Sequence, residues 1–180
     1  MKTQNQTMLS ENTLTSRPTD IIAGFPVRPG FFELNGATPL SNGVNFTAHT
    51  RHGTSCELLL FHSGEEEPFA VLPFPNACRI GDVYSMIVMG LDIEDLEYGY
   101  RIDGPYEPEK GHIFDKTKVL LDPYAKAVAG QRKWGQQKIG SYHARVVRDS
   151  FDWEDMPQST RKISDLIIYE LHVRGFTQDS

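Results

Sequence analysis

The sequence predicts a mainly β protein, an antiparallel two-sheet sandwich, on three observations. Apolar and polar residues alternate in short runs. Turn-forming residues separate those runs about every 12 positions. Prolines and glycines interrupt the stretches between them, which blocks any long helix.

Residues 1–23 are rich in Thr, Asn, Gln and Ser and read as a disordered leader. They lack the apolar core of a secretory signal, which favours a cytoplasmic location. Gly24-Phe-Pro-Val-Arg-Pro-Gly30 blocks helix and suggests an extended entry into the first strand. After the Asn42-Gly43 turn, Val44, Phe46 and Ala48 alternate with Asn45, Thr47 and His49, as in a half-buried strand. Cys56 to Phe61 is a Leu-rich run ended by Ser63-Gly64, and Phe69 to Leu72 ends at Pro73. Between them, Glu65-Glu66-Glu67 reads as a solvated loop tip, because three consecutive carboxylates do not converge on one point in an extended chain. Val83, Ser85, Ile87 and Met89 alternate with Tyr84, Met86 and Val88, and Tyr98 to Ile102 closes at Asp103-Gly104-Pro105. These strands fit residues 24–106 into a sandwich of immunoglobulin-like size, about 100 residues, although the Cys, Trp, Cys arrangement of antibody domains is missing.

From 107 to 164 the periodicity weakens and the chain reads as a connector. Val119-Leu-Leu-Asp-Pro-Tyr-Ala-Lys-Ala-Val128 is its one compact apolar cluster, a short turn of helix or a strand. Residues 165–180 close with a strand-like run, Leu166 to Val173.

Composition narrows the function. Of the 180 residues, 39% are hydrophobic and 23% charged, and no apolar run approaches the roughly 18 residues of a membrane helix. A net charge of -6 without a dense basic cluster excludes the electrostatic footprint of a nucleic-acid or anionic-membrane binder. A neutral partner such as a sugar fits best. Cys56 and Cys78 have neither metal spacing nor the density of a disulfide scaffold and read as reduced and packed. His49, His52, His62, His112 and His143 are scattered, so no metal ligand set is assigned and no cofactor is expected.

Three stretches carry a family resemblance: Tyr98-Gly-Tyr-Arg-Ile-Asp-Gly-Pro-Tyr106, Gly111-His-Ile-Phe-Asp115 with Leu120-Leu-Asp-Pro-Tyr-Ala-Lys126, and Ile168-Tyr-Glu-Leu-His-Val-Arg-Gly-Phe-Thr177. In this order and spacing they resemble the N-terminal portion of glycogen-debranching enzymes of the isoamylase type, in the alpha-amylase superfamily. Ala37-Thr-Pro-Leu40 and Gly43-Val-Asn-Phe46 resemble the opening strands of the same module. Branching enzymes, pullulanases and trehalohydrolases are the alternative relatives, and Arg174-Gly-Phe-Thr177 is closer to the debranching pattern.

The resemblance implies an early-set sandwich of carbohydrate-binding type, then a (β/α)8 barrel that hydrolyses α-1,6-glucosidic branches of glycogen or starch by two carboxylates about 5 Å apart. Such a barrel needs about 250 residues, so the resemblance implies a chain truncated after the first barrel strand, without catalytic residues. Glu170 and His172 share one face of that strand and are read as structural. The partner implied is an α-glucan; a stand-alone glucan-binding module is the alternative. Because aromatic rings stack on glucose, Tyr84, Tyr106 and Trp134 are the candidate substrate-binding residues, and Trp153 is read as a packing anchor. Tyr84 stands where relatives often place a tryptophan.

Overall fold

A computed structural model describes residues 17–130, 142–148, 152 and 160–178. The chain divides into two units, Met1–Arg148 and Asp149–Ser180.

The first unit is the expected sandwich. Its strands, all antiparallel, are β1 (Asp20–Ile22), β2 (Phe25–Pro29), β3 (Gly36–Leu40), β4 (Gly43–His49), β5 (Ser55–His62), β6 (Ala70–Pro73) and β7 (Arg79–Ile80). They continue with β8 (Val83–Met89), β9 (Leu96–Asp103), β10 (Tyr106–Glu107), β11 (His112–Ile113), β12 (Ala127–Ala129) and β13 (His143–Arg145). One sheet runs β1-β2-β8-β4-β3 with β7 beside β8; the other runs β12-β13-β9-β5-β6; β10 and β11 form a separate hairpin. Pro39 is tolerated because β3 lies at a sheet edge.

Alternation sets which side chains meet between the sheets. Val44, Phe46 and Ala48 of β4 and Tyr84, Met86 and Val88 of β8 face Cys56, Leu58 and Leu60 of β5 and Tyr98, Tyr100 and Ile102 of β9 in one core. Phe46 meets the edge of Tyr98 at a centroid distance of 5.2 Å. The opposite faces are also covered. Ile87 and Met89 pack with Leu40 and Phe31, and Leu59 and Phe61 are fully buried.

Buried polar groups on the outer face of β4 are satisfied by one another. Asn45 Oδ1 accepts the Phe31 amide at 2.8 Å, Asn45 Nδ2 donates to Thr47 Oγ1 at 3.0 Å, and Thr47 Oγ1 lies 2.7 Å from Ser85 Oγ. Paired in this way, three polar side chains avoid the desolvation cost of about 1–3 kcal/mol that each would otherwise incur.

The sheet continues past the expected sandwich boundary at 106. β13 pairs with the start of β9 through Ala144 opposite Tyr98, and Leu120 makes a bridge to Tyr100 farther along the same edge. Part of the segment read as a connector therefore completes the β9 edge, as an unpaired ladder requires. β1 likewise lies within the stretch read as leader; residues before 17, and Trp134 and Trp153, lie outside the described residues.

In the second unit, residues 166–172 pair with no described strand, and Val173–Thr177 form a short helix whose Gly175 amide donates to His172 Nδ1 at 3.1 Å. A strand was expected here. An extended apolar run forms a strand only where a ladder partner is present, and Ile167, Ile168 and Tyr169 are exposed.

The thiols are both buried and unbonded. Burial, helped by Glu57, raises Cys56 from 9.0 to about 12, and burial, helped by Asp20, raises Cys78 from 9.0 to about 11. The unfolded chain loses these protons near the ordinary value while the folded chain keeps them, so their ionisation weakens the fold as pH climbs from 9.0 to about 12. The native protein at neutral pH should leave both thiols unmodified by a disulfide reagent, and denaturation in urea should expose both; rapid native labelling would contradict their burial.

Candidate functional site

The strand ends of the sandwich and the segment 104–124 create the features able to meet a ligand. β9 exits through Asp103-Gly104-Pro105 into the β10–β11 hairpin, where Tyr106 lies opposite Ile113. Opposed residues share a face, and both are largely exposed, Tyr106 at 72% and Ile113 at 69%. This is an open apolar platform with an aromatic ring. The hairpin's His112 meets His52 of the β4–β5 turn, ring to ring, at 4.5 Å.

Beyond the hairpin the chain folds back on the sandwich. Phe114 lies over Gly104, where an added Cβ would come within 2.6 Å of the ring. A Cβ on Gly99 would lie 2.6 Å from Val119, so glycine is what lets the 119–120 segment lie against β9. Leu120 exchanges backbone hydrogen bonds with Tyr100 at 2.7 and 3.0 Å.

The returning segment leaves a cleft of about 550 Å³, lined chiefly by Tyr100, Ile102, Phe114, Leu121, Asp122 and Tyr124. Asp122, although only 3% exposed, is held by two donors: the Tyr98 hydroxyl at 2.8 Å to Oδ2 and the Tyr124 amide at 2.8 Å to Oδ1. Burial raises its carboxyl above the usual carboxylate range, and the Tyr124 amide and the tyrosine hydroxyls pull it back. Burial above all, then the charge of Asp122, drives Tyr100 well above the ordinary phenol value. The Tyr100 hydroxyl is itself buried beside this carboxylate.

A second concavity of about 540 Å³ is polar, with Glu57, Asp103, Arg101 and Lys116 on its walls. Its two acids and two bases cancel in charge, and Glu57 lies 3.6 Å from Arg101. It offers no field for an ionic ligand.

The other candidates fall differently. Tyr84 is 2% exposed, with the Arg79 guanidinium 4.8 Å from its ring centroid and Phe74 against its edge. Its ring is packed into the core and presents no face to a sugar. Its parity with Met86 and Val88 was the available signal. Three histidine contacts escaped the sequence reading: His52 with His112, His62 Nδ1 with Asp95 at 2.8 Å, and His143 Nδ1 with Glu97 at 3.1 Å. No group of three or more metal-ligating side chains converges among the described residues.

The profile of the family described as carbohydrate-binding module 48 (isoamylase N-terminal domain) matches residues 35–125, a span that runs from β3 through the hairpin to the cleft. The chain belongs to this family. Curated proteins similar to this module 48 chain include isoamylase SU1, chloroplastic, of Zea mays, 34% identical over 170 residues, covering 88% of this chain and 21% of that protein. The glycogen debranching enzyme of Salmonella typhi is 36% identical over 156 residues, covering 79% of this chain and 23% of that enzyme. The module thus spans about a fifth of the length of these curated relatives. Among solved structures, pullulanase type I from Bacillus subtilis is similar at 20% identity and a TM-score of 0.47, over 71% of this chain and 15% of that one. No helix among the described residues is long and apolar enough to cross a membrane.

Proposed function

We propose that this chain is the α-glucan-binding module of a cytoplasmic debranching enzyme that hydrolyses α-1,6-glucosidic branches of glycogen or starch. The match to module 48 over residues 35–125 carries this reading, and the names of the relatives, an isoamylase and a glycogen debranching enzyme, support the proposed chemistry. The chain itself binds rather than cleaves. The exposed Tyr106 ring, with Ile113 beside it, is the platform against which a glucose face stacks. Trp134 is proposed as a further stacking residue. Neutral glucan suits a protein with net charge of -6 and no basic patch.

Affinity electrophoresis in glycogen-containing gels tests the platform. Tyr106→Ala should weaken binding about tenfold, the equivalent of about 1.4 kcal/mol, while leaving the melting temperature unchanged because the ring is exposed. Unaltered retardation of the variant would remove Tyr106 from the site.

A further inference from the structure

We propose that the polar groove on the outer face of β5 and β9 binds the hydroxyl edges of glucosyl units whose neighbours stack on Tyr106. The proposal rests on the α-glucan reading above and assigns a place to the sugar hydroxyls, which a stacking ring does not recognise.

Strand register builds the groove. Ser55 lies opposite Asp103, and Glu57 lies opposite Arg101. Cys56, Leu58, Tyr100 and Ile102 between them face the core, so alternation turns these four side chains to the outer surface of the sheet. Lys116 and Thr117, on the segment that returns after the hairpin, complete the lining of a concavity of about 540 Å³. Small-ligand sites usually span roughly 300–1,000 Å³.

The charges neutralise one another without using up their hydrogen bonds. Glu57 Oε2 lies 3.6 Å from Arg101 Nε, and Asp103 Oδ2 lies 4.0 Å from Lys116 Nζ. Both separations are too long for a hydrogen bond. The side chains are also within a ligand's reach, from 30% exposed for Arg101 to 74% for Lys116. An anion entering the groove meets Glu57 and Asp103, and a cation meets Arg101 and Lys116. A sugar hydroxyl both donates and accepts, so two adjacent hydroxyls match a carboxylate that accepts beside a cation that donates. Hydrogen bonds to charged groups are the stronger kind, which suits an open site that competes with water.

β9 links the groove to the platform. Tyr106 follows Asp103 through Gly104 and Pro105, a chain span of at most about 10 Å. A short glucan can therefore touch both.

An NMR titration of the full chain with maltotriose, and separately with sodium sulfate, tests the groove. Maltotriose should cause saturable amide shifts at 55–57, 101–103 and 116–117 as well as in the hairpin, and sulfate should cause none. Lys116→Met keeps the exposed stem, removes the ammonium and should weaken maltotriose binding about fivefold with wild-type spectral dispersion. Glu57→Ala, in the other pair, should do the same and serves if Lys116→Met disturbs the fold. Maltotriose shifts confined to the hairpin, or wild-type affinity in both variants, would overturn the groove while leaving the glucan-binding reading intact. Saturable sulfate shifts at the groove would overturn its preference for a neutral ligand. No shift with maltotriose anywhere would overturn both readings.

Discussion

Phe46→Ala should destabilise the sandwich by about 3–5 kcal/mol, measured by urea denaturation followed by tyrosine fluorescence. Phe46 is fully buried, sits on β4 in the middle of the inter-sheet core and meets Tyr98 from the facing sheet at 5.2 Å. Its removal deletes apolar contact with both sheets and leaves a cavity that paired strands cannot close without breaking their ladders. Domains of this size typically hold only about 5–15 kcal/mol of net stability, so the variant should lie near the edge of folding at ordinary temperature. A cost below about 1 kcal/mol would mean that the sheets are not packed on this residue.

Glu97→Ala should be comparably harmful for a different reason. Glu97 is 3% exposed; its Oε1 accepts the Gly64 amide at 3.0 Å and its Oε2 lies 3.1 Å from His143 Nδ1. The His143 ring in turn stacks on Phe61 at 3.8 Å, which ties β13 across β9 to β5 of the same sheet. Removing the carboxylate takes the acceptor from two buried donors, at about 1–3 kcal/mol each. Glu97→Gln keeps an acceptor for the Gly64 amide and should cost less than half as much. Equal losses in the two variants would show that the carboxylate charge, rather than its hydrogen bonds, holds the pair.

The strands of the core were legible because each carries its own alternation. The run Val83 to Met89 became β8 with those ends, and Val44, Phe46 and Ala48 mark the buried face of β4. What escaped the sequence depends on distant partners. Ala127–Ala129 and His143–Arg145 have only three residues each, too few to show a period, and they form because β9 offers an open edge. Leu166 to Val173 shows the converse: strong strand propensity yields no strand where no ladder is present.

The candidate site was legible in part. The Asp103-Gly104-Pro105 turn placed Tyr106 at a loop, whereas Tyr84 on an alternating run belonged to the core by parity. The cleft could not be read from sequence, since Tyr100 and Asp122 meet only after the 114–124 segment folds back across Gly99 and Gly104. The His143–Glu97 contact spans 46 positions and leaves no local trace.

The central claim is that this module 48 chain binds α-glucan, and migration of the purified protein through a native gel containing glycogen, beside a gel without it, tests it most directly. Retardation that grows with glycogen concentration and is relieved by added maltotriose is the predicted result. Equal mobility in both gels, for protein shown to be folded, would contradict it.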